Sequence, residues 1–199
     1  MQLYWRPGTA AFAADAALGE IDVPYERILV ERDSSGNVPA EYLRINPMGQ
    51  VPTLVDESLV LPEVAAILLH LADRYPEARL APVARAPFYR WLVFLTNTLQ
   101  PALMRHFYPQ RFGTEGVRSA ADAQLQHLYD VVENELDGHR WLAGEERSAA
   151  DLLLFMLTEW GNELEPSAWA RPNLRGHFER TLELASVRQA VSDHGMSAP

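Results

Sequence analysis

The sequence contains no cysteine. That absence excludes disulfides, thiolate metal sites and a cysteine nucleophile, and it suits a reducing compartment. The chain also lacks an uninterrupted apolar run near the roughly 18 residues that a membrane helix needs, and a basic amino-terminal segment followed by an apolar stretch. We therefore expect a soluble, cytoplasmic protein with no membrane partner.

Positive charge is scarce as well. The chain has 17 Lys and Arg against 27 Asp and Glu, a formal net charge of -10, so a basic footprint for phosphate backbones is missing and nucleic acid is not an expected partner. Hydrophobic residues make up 48% and charged residues 22%, an ordinary globular balance. A length of 199 residues fits two small domains.

Several catalytic classes lack their motifs. No Gly-x-Ser-x-Gly elbow and no phosphate-cradling glycine loop occur in the sequence. The six histidines do not fall at metal-ligand spacing, so we predict no metal site. They are His70, His106, His127, His139, His177 and His194.

The two halves of the chain have different hydrophobic patterns. The first 80 or so residues alternate short apolar runs with helical segments, which predicts an α/β unit. Strands are expected at 3–5, 25–30, 53–55 and 59–61, and helices at 10–18, 39–43 and 63–75. After a turn-rich stretch, 76–87, only helical patterns remain, at 88–108, 116–136, 149–163, 174–184 and 187–193. We therefore predict domains at 1–77 and 85–199.

The stretch from Asn46 to Leu54 is the most informative part of the sequence. Two prolines and a glycine lead directly into an apolar strand. If the Val51-Pro52 bond is cis, the Val51 backbone is turned outward and can pair with a peptide-like ligand as an added strand would. The alternative is a plain turn before a strand.

A helix start follows one hairpin later, at Glu63-Val64-Ala65-Ala66-Ile67. Helix amino termini attract anions through unpaired N–H groups and the macrodipole, so a ligand carboxylate could bind at Glu63 and Val64. The Glu63 carboxylate could pair with an ammonium group or simply complement the helix dipole. Further along, Ser148-x-x-Asp151 before an apolar run predicts a capping box, a folding signal rather than a catalytic one.

Together these stretches resemble the glutathione transferase superfamily, in particular its bacterial beta-like group, over nearly the whole chain. The motifs are residues 3–9, 46–54, 63–67 and 148–151. The resemblance implies a thioredoxin-like amino-terminal domain with a mixed four-stranded sheet and a carboxy-terminal helical bundle. It also implies a homodimer and glutathione as co-substrate, used against a small hydrophobic electrophile in detoxification or in related isomerase or peroxidase chemistry.

The resemblance also implies roles for individual residues. Pro52 would be the cis proline, and the backbone of Val51 would pair with the cysteinyl part of glutathione. Positions 63 and 64 would bind the γ-glutamyl group. The remaining residues that we expect to contact glutathione are Thr9, Ala10 and Gln50.

Two positions depart from the family pattern. Ala10 stands where beta-like relatives often carry a cysteine, and Val64 stands where a serine usually binds the γ-glutamyl carboxylate. The loss of one hydrogen bond to a charged group costs about 1.5–3 kcal/mol, roughly ten- to a hundred-fold in affinity. These departures motivate the alternative of a non-catalytic glutathione- or ligand-binding or interaction protein on the same scaffold.

Thr9 and His106 are the catalytic candidates, because the glutathione thiolate is the reactive form and needs a partner that stabilises it. Thr9 is the hydroxyl nearest the first helix, although it could instead cap that helix. The backbone N–H groups of Thr9 and Ala10 offer a further route. Tyr4 reads as core packing. His106 could assist thiolate formation or bind the glycine carboxylate of glutathione. A related histidine occurs in beta-like relatives, but alignment on the Phe-x-Pro pattern at Phe107-Tyr108-Pro109 places Met104 at its position.

Overall fold

A computed structural model describes residues 1–113 and 115–196. Its strands are β1 (Gln2–Trp5), β2 (Glu26–Leu29), β3 (Thr53–Asp56) and β4 (Leu59–Pro62). Its α-helices are α1 (Ala11–Ile21), α2 (Ala40–Ile45), α3 (Val64–Arg74), α4 (Arg85–Phe94), α5 (Gln100–Phe107), α6 (Val117–Glu135), α7 (Ala149–Trp160), α8 (Pro172–Leu182) and α9 (Ala185–His194). Across the described residues, no helix combines the length and the apolar character needed to span a bilayer.

The first compact unit contains Met1–Leu80 and the described residues from Ala185 onward, and it is organised around one mixed sheet. The strand order is β2-β1-β3-β4. β1 pairs in parallel with β2, whereas β3 is antiparallel to both β1 and β4. The central strands carry the buried side chains of Leu3 and Leu54, each 0% exposed. The predicted four-stranded mixed sheet is confirmed.

The helices of this unit cover the sheet and position its loops. α1 is rich in alanine and buried from Ala11 to Leu18, so its backbone can approach α3 and α9 closely. It begins at Ala11 rather than Ala10 and continues past Leu18 to Ile21, where Asp22 adopts left-handed geometry and closes the helix. α2 ends at Ile45, because Asn46 precedes Pro47 and is held in extended geometry.

The second unit, Ala81–Leu184, contains α4 to α8. The single helix expected over 88–108 is found as α4, a π-helical segment over Leu95–Leu99, and α5. Pro101 has no amide hydrogen for the helical ladder, and the Thr96 hydroxyl donates to the Leu92 carbonyl at 2.7 Å, which explains the local widening. The periodicity of apolar residues does not reveal such a segment.

α7 is the buried helix of this unit, because every residue from Ala149 to Thr158 is buried. It starts with the predicted capping box: the Asp151 carboxylate accepts the Ser148 N–H at 2.7 Å and the Ser148 hydroxyl at 3.0 Å. The same carboxylate accepts the Leu142 N–H at 2.8 Å and contacts His177 Nε2 at 2.9 Å. The cap therefore also joins α7 to the preceding loop and to α8.

α9 packs against α1 in the first unit, whereas the sequence suggested a helical domain over 85–199. The buried Asp15 carboxylate accepts hydrogen bonds from Tyr25 Oη at 2.6 Å and Arg27 Nε at 2.8 Å. His194 Nε2 lies 3.3 Å from its other oxygen, and Arg27 also pairs with Asp193. Burial alone would raise the pKa of Asp15, but the contacts with His194, Tyr25 and Arg27 lower it.

Candidate functional site

The loop before β3 presents backbone groups that the fold leaves unused. The Val51-Pro52 peptide bond is cis, as expected. Within residues 1–113 and 115–196, neither the N–H nor the C=O of Val51 takes part in a hydrogen bond. Gln50 is exposed, Val51 is half-buried and Pro52 is buried. A donor and an acceptor on one accessible residue can pair with the backbone of an extended peptide ligand.

Three buried side chains hold this loop, and we call Tyr42, Asn46 and Thr53 the loop clamp. The Tyr42 hydroxyl donates to the Gln50 carbonyl at 2.5 Å, and the Asn46 amide donates to the same carbonyl at 2.8 Å. The Thr53 hydroxyl lies 2.9 Å from Tyr42 Oη and accepts from the Asn46 amide at 3.1 Å. Because the clamp is buried and mutually hydrogen-bonded, it fixes the backbone on which Val51 lies.

The amino terminus of α3 offers further donors. Glu63 is its N-cap and makes no side-chain cap, so the first N–H groups of the helix, beginning at Val64, have no partner in the helix itself. Glu63 is exposed and has a backbone φ of 73°. A positive φ is uncommon for a residue other than glycine, and such residues cluster at ligand sites. The Val64 side chain is buried, at 6% exposure, and only its backbone is suited to bind a carboxylate.

At the start of α1, the Thr9 hydroxyl already takes part in hydrogen bonds within the protein. It donates to the Arg6 carbonyl at 2.6 Å and lies 3.4 Å from the Ala11 N–H. The hydroxyl hydrogen is therefore used within the turn. In the described part of the chain, the N–H of Ala10 has no hydrogen-bond acceptor, which leaves this backbone group available to an anion at the helix start.

His106 lies near the end of α5 in the second unit. Its Nδ1 is 2.5 Å from Asp122 Oδ1 on α6, and its carbonyl accepts from Arg118 Nε at 2.8 Å. The imidazole side chain is only 11% exposed, whereas the Asp122 side chain is 40% exposed. α5 and α6 pack against each other, and this contact places a histidine and a carboxylate in one pair.

Tyr4 is a packing residue in the structure, and four other side chains pair with one another near the end of α5. Tyr4 packs against Tyr42 with ring centroids 5.4 Å apart, as expected for a core residue. Near the end of α5, cation–π pairs join Arg105 to Phe112 and Arg111 to Tyr108. No group of three or more His, Cys, Asp or Glu side chains is placed to hold a metal ion in the ranges that the structure describes.

Sequence reasoning missed two sets of residues. The loop clamp was not singled out, although the sequence places Asn46 before Pro47 and Thr53 after Pro52. Asp122 was also missed, because it is separated from His106 by a turn and carries no motif of its own. Only the register between two helices brings that pair together, and no local pattern encodes this register.

Comparison with known families accounts for both units. Residues 1–73 match the model for the amino-terminal domain of glutathione S-transferases, and residues 94–185 match the model for their carboxy-terminal domain. A relative from Xanthomonas campestris pv. campestris, glutathione S-transferase GST-4.5, is 32% identical over 206 residues, which cover 99% of this chain and 100% of the relative.

Solved structures agree with this assignment. A beta-class glutathione S-transferase of Sphingomonas chungbukensis is 29% identical, with a TM-score of 0.87 over 99% of this chain and 100% of that one. A sphingomonad glutathione S-transferase in complex with glutathione is 27% identical, with the same TM-score, and covers 99% of this chain and 100% of that one. The chain with the unused Val51 backbone and the cis Pro52 therefore belongs to the glutathione S-transferase family.

Proposed function

We propose that this protein binds glutathione along Val51 and conjugates it, through its sulfur, to a small hydrophobic electrophile. The observation that carries the proposal is the free N–H and C=O of Val51, held in place by the loop clamp. In this proposal Gln50 and cis Pro52 border the cysteinyl part of the peptide. The γ-glutamyl carboxylate binds the backbone N–H of Val64, and Glu63 pairs with the α-ammonium group.

The reaction requires that the thiol lose its proton before it attacks. In the proposed step, the S–H electron pair stays on sulfur and the proton passes to a base. The thiolate then forms a bond to the electrophilic carbon, while the leaving group departs with the electron pair of the bond that breaks. His106, in the second unit, is kept as a proposed catalytic residue. The Ala10 N–H is the proposed donor to the thiolate, and Thr9 contributes through the turn that it stabilises or through its hydroxyl.

A second candidate function is glutathione or ligand binding without catalysis. Ala10 and Val64 favour it, because each replaces a side chain that family members commonly use. The two functions share the same scaffold and the same binding residues in the first unit. They differ in whether bound glutathione reacts faster than free glutathione.

Two measurements on the full chain separate these candidates. Isothermal titration with glutathione tests binding, and spectrophotometry with 1-chloro-2,4-dinitrobenzene and a wider panel of electrophiles tests transfer, in which chloride is the leaving group in the first case. Binding together with a rate above the uncatalysed reaction supports the transferase. Binding without any rate gain supports the glutathione-binding protein. No binding of glutathione contradicts the transferase and favours a protein on the same scaffold that binds another ligand.

Assembly and location complete the proposal. We propose a homodimer, since several apolar side chains are exposed on β4 and α4, including Val60 at 45% and Val93 at 56%. Sedimentation of a monomer at micromolar concentration would contradict it. We also propose a cytoplasmic location, which suits an acidic chain without cysteine. Cell fractionation checks this location.

A further inference from the structure

The five methionines hold all the sulfur of this chain, because it has no cysteine, and they differ in exposure. Met156 is 0% exposed within α7, and Met1, Met104 and Met196 are half-buried. Met48 alone is exposed, at 73%. Because an oxidant must reach a sulfur atom to react with it, Met48 is the thioether that a dissolved peroxide meets first.

The Met48 sulfur is also free of the polar contact that engages another methionine. Within the described ranges, Met48 Sδ accepts no hydrogen bond, whereas Met1 Sδ lies 4.0 Å from the Tyr75 hydroxyl that donates to it. A thioether sulfur is polarizable and carries lone pairs that accept hydrogen bonds only weakly. At Met48 these lone pairs are available to an electrophilic oxygen that arrives from solvent.

The backbone at Met48 is held by Asn46, a member of the loop clamp. The Met48 N–H donates to Asn46 Oδ1 at 3.1 Å, and the Gly49 N–H donates to the Asn46 carbonyl at 2.9 Å. Gly49 has a φ of 63°, and a Cβ there would lie 3.0 Å from Val38 Cγ2 and 3.2 Å from Leu43 Cδ2. These contacts fix the turn through its backbone, so none of them depends on the Met48 side chain.

Oxidation replaces an apolar thioether with a polar sulfoxide, and its cost depends on where the new oxygen lies. At Met48 the oxygen meets water, so the fold loses no packing and gains no unpaired buried group. At Met156, buried in α7, the same oxygen would need a hydrogen-bond donor that an apolar core does not supply. Oxidation is therefore tolerable at Met48 and destabilising at Met156.

We propose that Met48 is a peroxide-reactive site on the loop before β3, where it takes up oxidant while the fold and the binding groups of Val51 stay intact. The statement about Val51 rests on the proposed glutathione binding. In the step, a sulfur lone pair attacks one oxygen of hydrogen peroxide, the S–O bond forms and the O–O bond breaks. The second oxygen leaves as hydroxide and takes the proton of the transferred oxygen to give water, so sulfur loses two electrons and peroxide gains them. Methionine sulfoxide reductases, with a dithiol as reductant, return the sulfoxide to the thioether and release water.

The first test follows oxidation residue by residue. Full-length protein is exposed to hydrogen peroxide, quenched with catalase at intervals, digested with trypsin and measured by tandem mass spectrometry. Cleavage after Arg44 and Arg74 releases Met48 as the single methionine of a peptide without tryptophan. We expect its sulfoxide to form at least about tenfold faster than that of Met156. Met48→Leu should remove this first oxidation, and Met196→Leu, the matched control, should leave it unchanged.

The second test compares the oxidised protein with the untreated one. Protein oxidised at Met48 alone should keep its urea midpoint and bind glutathione within about twofold of the untreated protein in isothermal titration. Met48→Gln, with a polar side chain of similar length, should do the same. Met156→Gln is the contrast, since a polar group in the buried helix should lower the midpoint. The two epimer-specific methionine sulfoxide reductases, with dithiothreitol, should return the folded oxidised protein to its original mass.

The outcomes separate this inference from the proposed function. If Met48 reacts no faster than Met104 or Met196, or reacts only after urea unfolds the protein, it is not an accessible peroxide site. If oxidation of Met48 lowers the urea midpoint, or weakens glutathione binding beyond the stated range, the fold and the binding groups do not stay intact and the proposal fails. If neither form binds glutathione, the proposed function fails, while the mass spectra and the midpoints still decide on Met48.

Discussion

Two buried hydrogen-bond networks, one in each unit, show how the same chemistry serves different ends. In the first unit the loop clamp converges on the carbonyl of Gln50 and stops one residue short of Val51, whose backbone stays unpaired. In the second unit the network around Asp151 uses both carboxylate oxygens, on the backbone of Ser148 and Leu142 and on side chains of Ser148 and His177.

The difference lies in where each network ends. The Asp151 network is closed, because both carboxylate oxygens are occupied by contacts within the fold and the side chains of Asp151 and His177 are both 0% exposed. The loop clamp is open, because its hydrogen bonds fix the Gln50 carbonyl while the N–H and C=O of the next residue, Val51, stay without a partner in the described residues. A closed network stabilises the fold, and an open one presents a rigid edge to a ligand.

The largest expected effect comes from breaking the closed network. Asp151→Ala leaves the N–H groups of Ser148 and Leu142 and the ring of His177 without their acceptor, so we expect a loss of about 3–5 kcal/mol in the free energy of unfolding. Chemical denaturation measures this loss. Ser148→Ala, which removes only one of the four contacts, is the graded control and should cost about 1 kcal/mol. Equal effects of the two variants would contradict the network.

The first unit has a buried carboxylate of its own, Asp15, and it should give stability a pH dependence. Because contacts with His194, Tyr25 and Arg27 hold its folded pKa below 3.8, Asp15 stabilises the fold above that pH, and the contribution is lost as pH falls through the folded pKa. We expect Asp15→Asn to lower the free energy of unfolding by about 3 kcal/mol at neutral pH.

The pH series supplies the control for Asp15. As acid protonates the wild-type carboxyl, its contacts come to resemble those of an amide, so the difference between wild type and Asp15→Asn should shrink below about pH 4. Urea denaturation at several pH values measures it. Asp137→Asn, at an exposed acid, should show no such gap. If the difference in the free energy of unfolding between wild type and Asp15→Asn stays constant down to acid pH, ionisation of Asp15 does not stabilise the fold.

Breaking the open network should affect the ligand as well as the fold. Asn46→Ala removes donors to the Gln50 carbonyl and Thr53 hydroxyl and an acceptor for the Met48 N–H, for a loss of about 2 kcal/mol in stability. Because the loop then loses its fixed geometry, we expect glutathione affinity to fall at least tenfold in isothermal titration. Asn37→Ala, at an exposed asparagine, should leave affinity unchanged. Full affinity in Asn46→Ala would show that the clamp is purely structural.

The sequence predicted what local patterns encode. The strands and the capping box at Ser148 follow from alternation and from a four-residue spacing, so each was found where it was expected. The cis bond between Val51 and Pro52 was expected from the resemblance to the family, because the placement of the prolines alone left a plain turn open. The helix ends shifted by a few residues, since helix caps such as the left-handed Asp22 depend on backbone geometry that composition does not determine.

What the sequence did not predict depends on contacts between distant segments. The π-helical segment before Pro101 depends on the amide hydrogen that this proline lacks and on the packing of the segment. The pair of His106 with Asp122 depends on the register of two helices. The Thr9 hydroxyl was expected near a sulfur, and that role stays a prediction. Its observed bond to the Arg6 carbonyl depends on the turn geometry, which residue type alone does not give.

The smallest expected effect comes from a substitution that adds a donor to the proposed binding site instead of removing one. Val64→Ser places a hydroxyl at the first position of α3, where it can donate a hydrogen bond to a carboxylate of the ligand. We therefore expect glutathione to bind about tenfold more tightly in isothermal titration. Because Val64 is buried, the same change should cost about 1–2 kcal/mol in stability. Val64→Ala is the matched control, since it loses the same bulk without gaining a donor. If the serine and alanine variants bind glutathione equally, the γ-glutamyl carboxylate does not lie at this helix end, and the edge at Val51 must bind the peptide in another direction.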